Sequence, residues 1–253
     1  MSVDWDGYEL YDPGVSAPLC DVPRAEARRA YERCMQTKSA RIEGLRTLLE
    51  ANGVVLGDDD GSVQALNDWY VAEIEPEPEM PPGWLRPEWY TVSHDVALFL
   101  SDLIIARHSN LRWEFYTWGK RCIDYQQHVI MGFTSEEPRF KTNMNLERMI
   151  VVYGHHIIHT RGSVRAQGKI TIRGHEIDVD KIMTRPGPDV VPDQFVRWLR
   201  NADERNDGPP IGRKEWMEAI LAPTPDQPPR RLRKASAPAD SENSNQRRSD
   251  HSR

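Results

Sequence analysis

The chain is short of cysteine, of long apolar runs and of positive charge at its start, and each shortage removes a class of protein. Three cysteines in 253 residues, Cys20, Cys34 and Cys122, stand 14 and 88 apart. That spacing suits neither a disulfide framework nor a CxxC metal or redox motif, so reduced thiols with structural roles are expected. Apolar runs such as Ile150 to Tyr153 and Leu98 to Leu100 are soon broken by polar residues, whereas a membrane helix needs about 20 mostly apolar positions. Neither a transmembrane helix nor a membrane partner is expected. Met1 to Pro13 hold Asp4, Asp6, Glu9 and Asp12 and no Lys or Arg, the reverse of a secretory signal, which makes a cytoplasmic location the expectation. Lysine is scarce as well, 7 against 26 Arg, the balance of a GC-rich bacterial genome.

Several catalytic signatures are missing too. There is no GxGxxG, GxSxG or HExxH, which withdraws sequence support from dinucleotide oxidoreductases, α/β-hydrolases and zincins. The stretch Gly162 to Lys169 has one residue too many between its glycines for a phosphate loop, and Ile170 stands where Ser or Thr would hold Mg²⁺.

What is present suffices for one core. Hydrophobic residues make up 38% of the chain, while 28% charged residues and a mean hydropathy of -0.68 leave part of it outside that core. Residues 223–253 contain five prolines, much Ser, Asn, Gln and Arg, and one large aliphatic residue, Leu232. They read as a disordered tail with a net charge of +3, leaving 1–222 as a single acidic domain of net charge -9 with a flexible N-terminal segment. The tail's basic run, Arg230 to Lys234, reads as solvated, and the acidic body with no helix-turn-helix or RNP motif argues against sequence-specific nucleic-acid binding.

Periodicity predicts a long helix from an Asp21 cap to Ala51, with Tyr31, Met35, Lys38, Ile42, Leu45 and Leu49 on one stripe and six arginines on the other faces. Those arginines read as solvated surface. Ser62 is the expected cap of a short helix carrying Val63, Leu66, Trp69 and Tyr70, and Pro76 to Pro87 read as a connector. Ser93 is the expected cap of a third, buried helix. Alternation in Leu111 to Trp118, followed by a Gly119-Lys120 turn into Ile123 to Phe133, predicts a β-hairpin. The stretch from Asn143 or Asn145 to Ile158 reads as a helix or, from its β-branched run, a strand. A second hairpin is expected at Lys169 to Val179, and two short helices at Asp193 to Arg205 and Arg213 to Leu221. Helices, then hairpins, then helices make an α+β fold.

Three sets of residues can carry chemistry. His155, His156 and His159 stand close together, and His155 and His159, four apart on a helix, can share a metal ion. His175 is a possible third ligand, and ordinary hydrogen bonding is the plainer account. Cys122 follows Lys120 and Arg121, which favour a thiolate, but no His and Asn or Asp are identifiable as partners. Asp95 and Asp102 share a helix face and read as a first-turn dipole residue and a solvated residue. Alternation sends Arg112, Glu114, Tyr116 and Trp118 to the face opposite Trp113 and Phe115, a composition typical of protein interfaces. At LNDWY (Leu66 to Tyr70), DVALFL (Asp95 to Leu100) and LRWEFYTWGK (Leu111 to Lys120) the chain resembles uncharacterised bacterial proteins with a similar helix and Trp-containing strand. That resemblance implies an immunity or accessory role. The leading expectation is therefore a non-enzymatic protein that binds a protein partner, a basic one being favoured, without a cofactor or bound metal. The alternative is a metal-dependent enzyme built on His155, His156 and His159.

Overall fold

Helix α3 (Pro87–Arg107) organises the molecule, because its middle is buried on every side. From Thr91 to Ser101 all of its residues are buried, the polar Thr91, Ser93, His94, Asp95 and Ser101 included. In this computed structural model, residues 3–5, 7–79, 83–134, 143–161, 169–172, 175–178 and 190–207 are described, the two short stretches at 169–172 and 175–178 by backbone alone. The expected helix at Arg213 to Leu221 and the tail from 223 lie outside the described residues. No described helix is long and apolar enough to cross a membrane.

Around α3 pack α1 (Arg24–Ala51), α4 (Leu146–Arg161) and α5 (Gln194–Asp207), while α2 (Asp60–Glu73) packs on α5. Trp89 lies at the centre, fully buried, with Trp5, Trp69 and Tyr70 edge-on or tilted against it at 5.3 to 5.7 Å. Strands β1 (Arg112–Phe115) and β2 (His128–Met131) pair antiparallel, Trp113 opposite Ile130 and Phe115 opposite His128. Strands β3 (Lys169–Ile172) and β4 (His175–Asp178) pair with each other, Ile170 opposite Ile177, so among the described residues the two hairpins form separate sheets. The fold is α+β, and Asn143 to Ile158 is helical rather than extended.

The helix starts differ from expectation for physical reasons. Pro23, not Asp21, precedes α1. Asp59 caps α2, its carboxylate accepting from the Gly61 and Ser62 amides, with Ser62 one turn further in. Proline opens α3 at Pro87, where its missing N–H costs nothing. Ser93 is a core residue that donates to the Trp89 carbonyl and shares a hydrogen bond with Tyr70. Asn145 does cap α4, accepting from the Arg148 amide. In α4, Gly154 permits close packing: a Cβ there would lie 2.6 Å from the Tyr70 hydroxyl and 2.7 Å from Ile74.

The N-terminal segment, expected to be flexible, is anchored on α3 through Trp5, Tyr8 and Tyr11. Trp5 packs on Trp89, the Tyr8 hydroxyl donates to Asp95 at 2.5 Å, and the Tyr11 amide donates to Thr91. This segment also claims arginines expected to be solvated. Arg41 grips the buried Asp95 with two hydrogen bonds, at 2.9 and 2.5 Å, and donates to the Glu9 carbonyl. Arg33 donates to the carbonyls of Pro13 and Gly14. Asp95 is thus the buried counter-ion of Arg41 rather than a first-turn residue, and Asp102 accepts from Lys38 and Trp113.

Candidate functional site

Three elements deliver side chains to one point. His94 comes from the second turn of α3, where the chain is buried all round. His128 opens β2, and because it stands opposite Phe115 it lies on the inner face of the hairpin, with Trp113 6.0 Å away. Glu147 comes from the first turn of α4, just after the Asn145 cap. Among the described residues, these are the group of His, Cys, Asp and Glu that brings three possible metal-ligand atoms together, all within 4.8 Å of one another.

The geometry is close and incompletely satisfied. Glu147 places one oxygen 2.6 Å from His128 Nε2 and the other 3.4 Å from His94 Nδ1. Yet neither ring nitrogen has a well-directed hydrogen bond, although the two side chains are only 2% and 7% exposed. Burial acts to raise the Glu147 pKa, and the attraction of the two imidazoles outweighs it, holding the carboxyl well below the usual range. Two further groups frame His94. Tyr11 stacks on its ring at 3.7 Å, and Cys34 Sγ lies 3.8 Å from its Nε2. Burial, with the nearby Glu147 charge, pushes the Cys34 thiol up to about 12, so it is a neutral thiol and not a nucleophile.

A cavity of about 870 Å³ opens over this cluster. Leu10 to Leu19 of the N-terminal segment form one wall, α1 contributes Tyr31 and Cys34, the 74–86 connector contributes Glu77, Glu79 and Trp84, and α3 adds Tyr90. No Lys or Arg is among its described lining residues.

The residues singled out from sequence fare unevenly. Arg112, Glu114 and Trp118 share the outer face of the hairpin, Arg112 pairing with Glu114 at 2.8 Å and Trp118 donating to Glu114 at 3.4 Å. Tyr116 is not open to solvent there: it lies beyond the end of β1, 6% exposed, packed with Val129 and Met131. Its amide donates to the Gln127 carbonyl and its carbonyl accepts from the Gln126 amide. Its neighbours Val129 and Met131 are the cross-strand partners of Glu114 and Arg112, so Tyr116 lies on a covered part of the same hairpin face. The histidines of α4 do not meet as three ligands. His155 contacts the Gly83 carbonyl and faces Tyr90, and His159 is exposed. Sequence reading missed His94, His128, Glu147 and Tyr11, and treated Cys34 as core alone. The available signal was the His94-Asp95 pair in the middle of an otherwise apolar helix.

No protein-family model, curated protein or solved structure matches this chain.

Proposed function

We propose that the chain binds a small organic molecule, neutral or cationic, in the cavity above His94, His128 and Glu147. The observation that carries this reading is a cavity of ligand size whose described lining is apolar and aromatic with three carboxylates and no lysine or arginine. Glu77, Glu79 and Glu147 supply negative charge, and Tyr11, Tyr31, Trp84 and Tyr90 supply ring faces and edges on which an apolar body or an ammonium group can rest. An anionic ligand would meet only His94 and His128, already paired with Glu147, and no Lys or Arg among the described lining residues. Trp84, half exposed, gives a direct readout through its emission. Titration of the EDTA-treated protein with an arylalkyl amine and with the matching aryl carboxylate should favour the amine by about tenfold, the worth of one desolvated cation–ring contact. Trp84→Ala should reduce that preference. Tighter binding of the carboxylate would contradict the reading.

A second reading, a protein partner of the immunity or accessory type, has its own support in the outer hairpin face. Trp118 is 47% exposed and Ile123, on the same loop, 68%. With the acidic body, these favour a partner that presents a basic rim around an apolar patch. Trp118→Ala should weaken capture of such a partner while leaving the melting temperature unchanged.

A further inference from the structure

We propose that His94 Nδ1, His128 Nε2 and a carboxylate oxygen of Glu147 bind one divalent first-row transition-metal ion, zinc being the type case, with its remaining position open to the cavity. The inference goes beyond the organic-ligand reading and does not depend on it. Two observations carry it independently. The first is convergence: three elements far apart in sequence place their donor atoms within 4.8 Å of one another. Ligands about 2.1 Å from one tetrahedral ion stand about 3.4 Å apart. Seating an ion therefore requires His128 and Glu147, now 2.6 Å apart, to separate by under about 1 Å, and the widest donor spacing, up to 4.8 Å, to close by up to about 1.4 Å. The second is the state of the donors. His94 and His128 are more than nine-tenths buried, and the nitrogens facing the cluster lack directed hydrogen bonds. Both nitrogens pair with Glu147 but off the ideal direction, and an ion at the centre would give each ring a directed bond.

The surroundings fit a ligand set. A metal-bound imidazole is usually fixed through its other nitrogen, and His94 Nε2 faces the Cys34 sulfur at 3.8 Å while Tyr11 clamps the ring from above. Two imidazoles and one carboxylate suit zinc, iron or cobalt and are poor donors for magnesium or calcium, which take oxygen ligands. All three side chains line the cavity, so a ligand held there can reach the ion.

Isothermal titration with Zn²⁺ of the full chain, first stripped with EDTA and dialysed, tests the assignment. Wild type and the double variant His155→Gln/His159→Gln should each take up one Zn²⁺ per chain with equal affinity. Glu147→Gln and His128→Gln should lose more than the roughly 10- to 100-fold that removing an outer partner costs, and Cys34→Ser should fall within that range. Thermal melts of the metal-free variants check folding. Should a ligand variant not fold, Co²⁺ bound to wild type decides. Intense visible d–d bands of a four- or five-coordinate site, without a thiolate charge-transfer band, support the assignment; a weak octahedral spectrum or no binding overturns it. Failure of wild type to take up Zn²⁺, uptake that survives both Glu147→Gln and His128→Gln, or uptake abolished by the α4 double variant overturns it equally.

Discussion

His155, His156 and His159 crowd into five consecutive positions of α4, whereas His94, His128 and Glu147 are separated by 34 and 19 residues and belong to α3, β2 and α4. It is the distant set whose donor atoms meet. On one helix, neighbouring side chains fan out around the axis, and each finds its own partner: His155 turns to the Gly83 carbonyl, and His159 to solvent. Convergence needs opposing elements. The packing of β2 and α4 on α3 brings His94 and His128 within 5.5 Å of each other, with Glu147 between them.

The contrast between inner and outer positions can be broken at several points, from largest effect to smallest. Alkylation with iodoacetamide at pH 8 should modify the exposed Cys20 quickly and Cys34 at least about a thousandfold more slowly, since a thiol titrating near 12 is about one part in 10,000 thiolate at that pH. The Cys34 rate should rise roughly tenfold per pH unit while the fold holds, as the thiolate fraction grows. Equal rates for the two cysteines in the folded protein would contradict the buried position of Cys34.

Next comes the buried ion pair. Arg41→Ala strands the fully buried Asp95 and should cost about 3 to 5 kcal/mol in urea unfolding. The exposed Arg197–Asp193 pair is the outer counterpart, and Arg197→Ala should change stability by less than about 0.5 kcal/mol. A loss below about 1 kcal/mol for Arg41→Ala would mean that the N-terminal segment is not held as described.

Glycines give a smaller contrast. Gly154→Val drives new methyls toward Tyr70 and Ile74 and should cost about 1 to 3 kcal/mol. Gly44, inside α1 with open space where a Cβ would go, should gain about 0.5 to 1 kcal/mol on change to Ala. Smallest of all, Trp118→Ala should shift unfolding by less than about 0.5 kcal/mol. Trp113→Ala, which removes a ring bonded to Asp102 and beside His128, should cost about 2 kcal/mol. Similar losses for the two would place both tryptophans on one side of the hairpin.

These contrasts also mark what could be read from the sequence. Period and composition found α1, α3, both hairpins and α5, because each depends on a local pattern of apolar positions. Caps were harder. Asp59 and Ser62 are both good cap residues, and only the backbone turn decides between them, while Ser93 serves Tyr70 from another element. Alternation groups Arg112, Glu114 and Tyr116 on one face but cannot tell that Tyr116 is buried there against Val129 and Met131. The N-terminal segment looked loose because its anchors, Tyr8 to Asp95 and Tyr11 on His94, join residues more than 80 positions apart. The candidate site was illegible for the same reason: neither His128 nor Glu147 stands in a local motif, and their meeting is a property of packing.

Anomalous diffraction above the zinc absorption edge, from crystals grown with one equivalent of Zn²⁺, tests most directly whether the inner cluster is the functional one. The account predicts a single strong peak about 2.1 Å from His94 Nδ1, His128 Nε2 and a Glu147 oxygen. A peak between His155 and His159 with none at the inner cluster, or no peak at all, would contradict it.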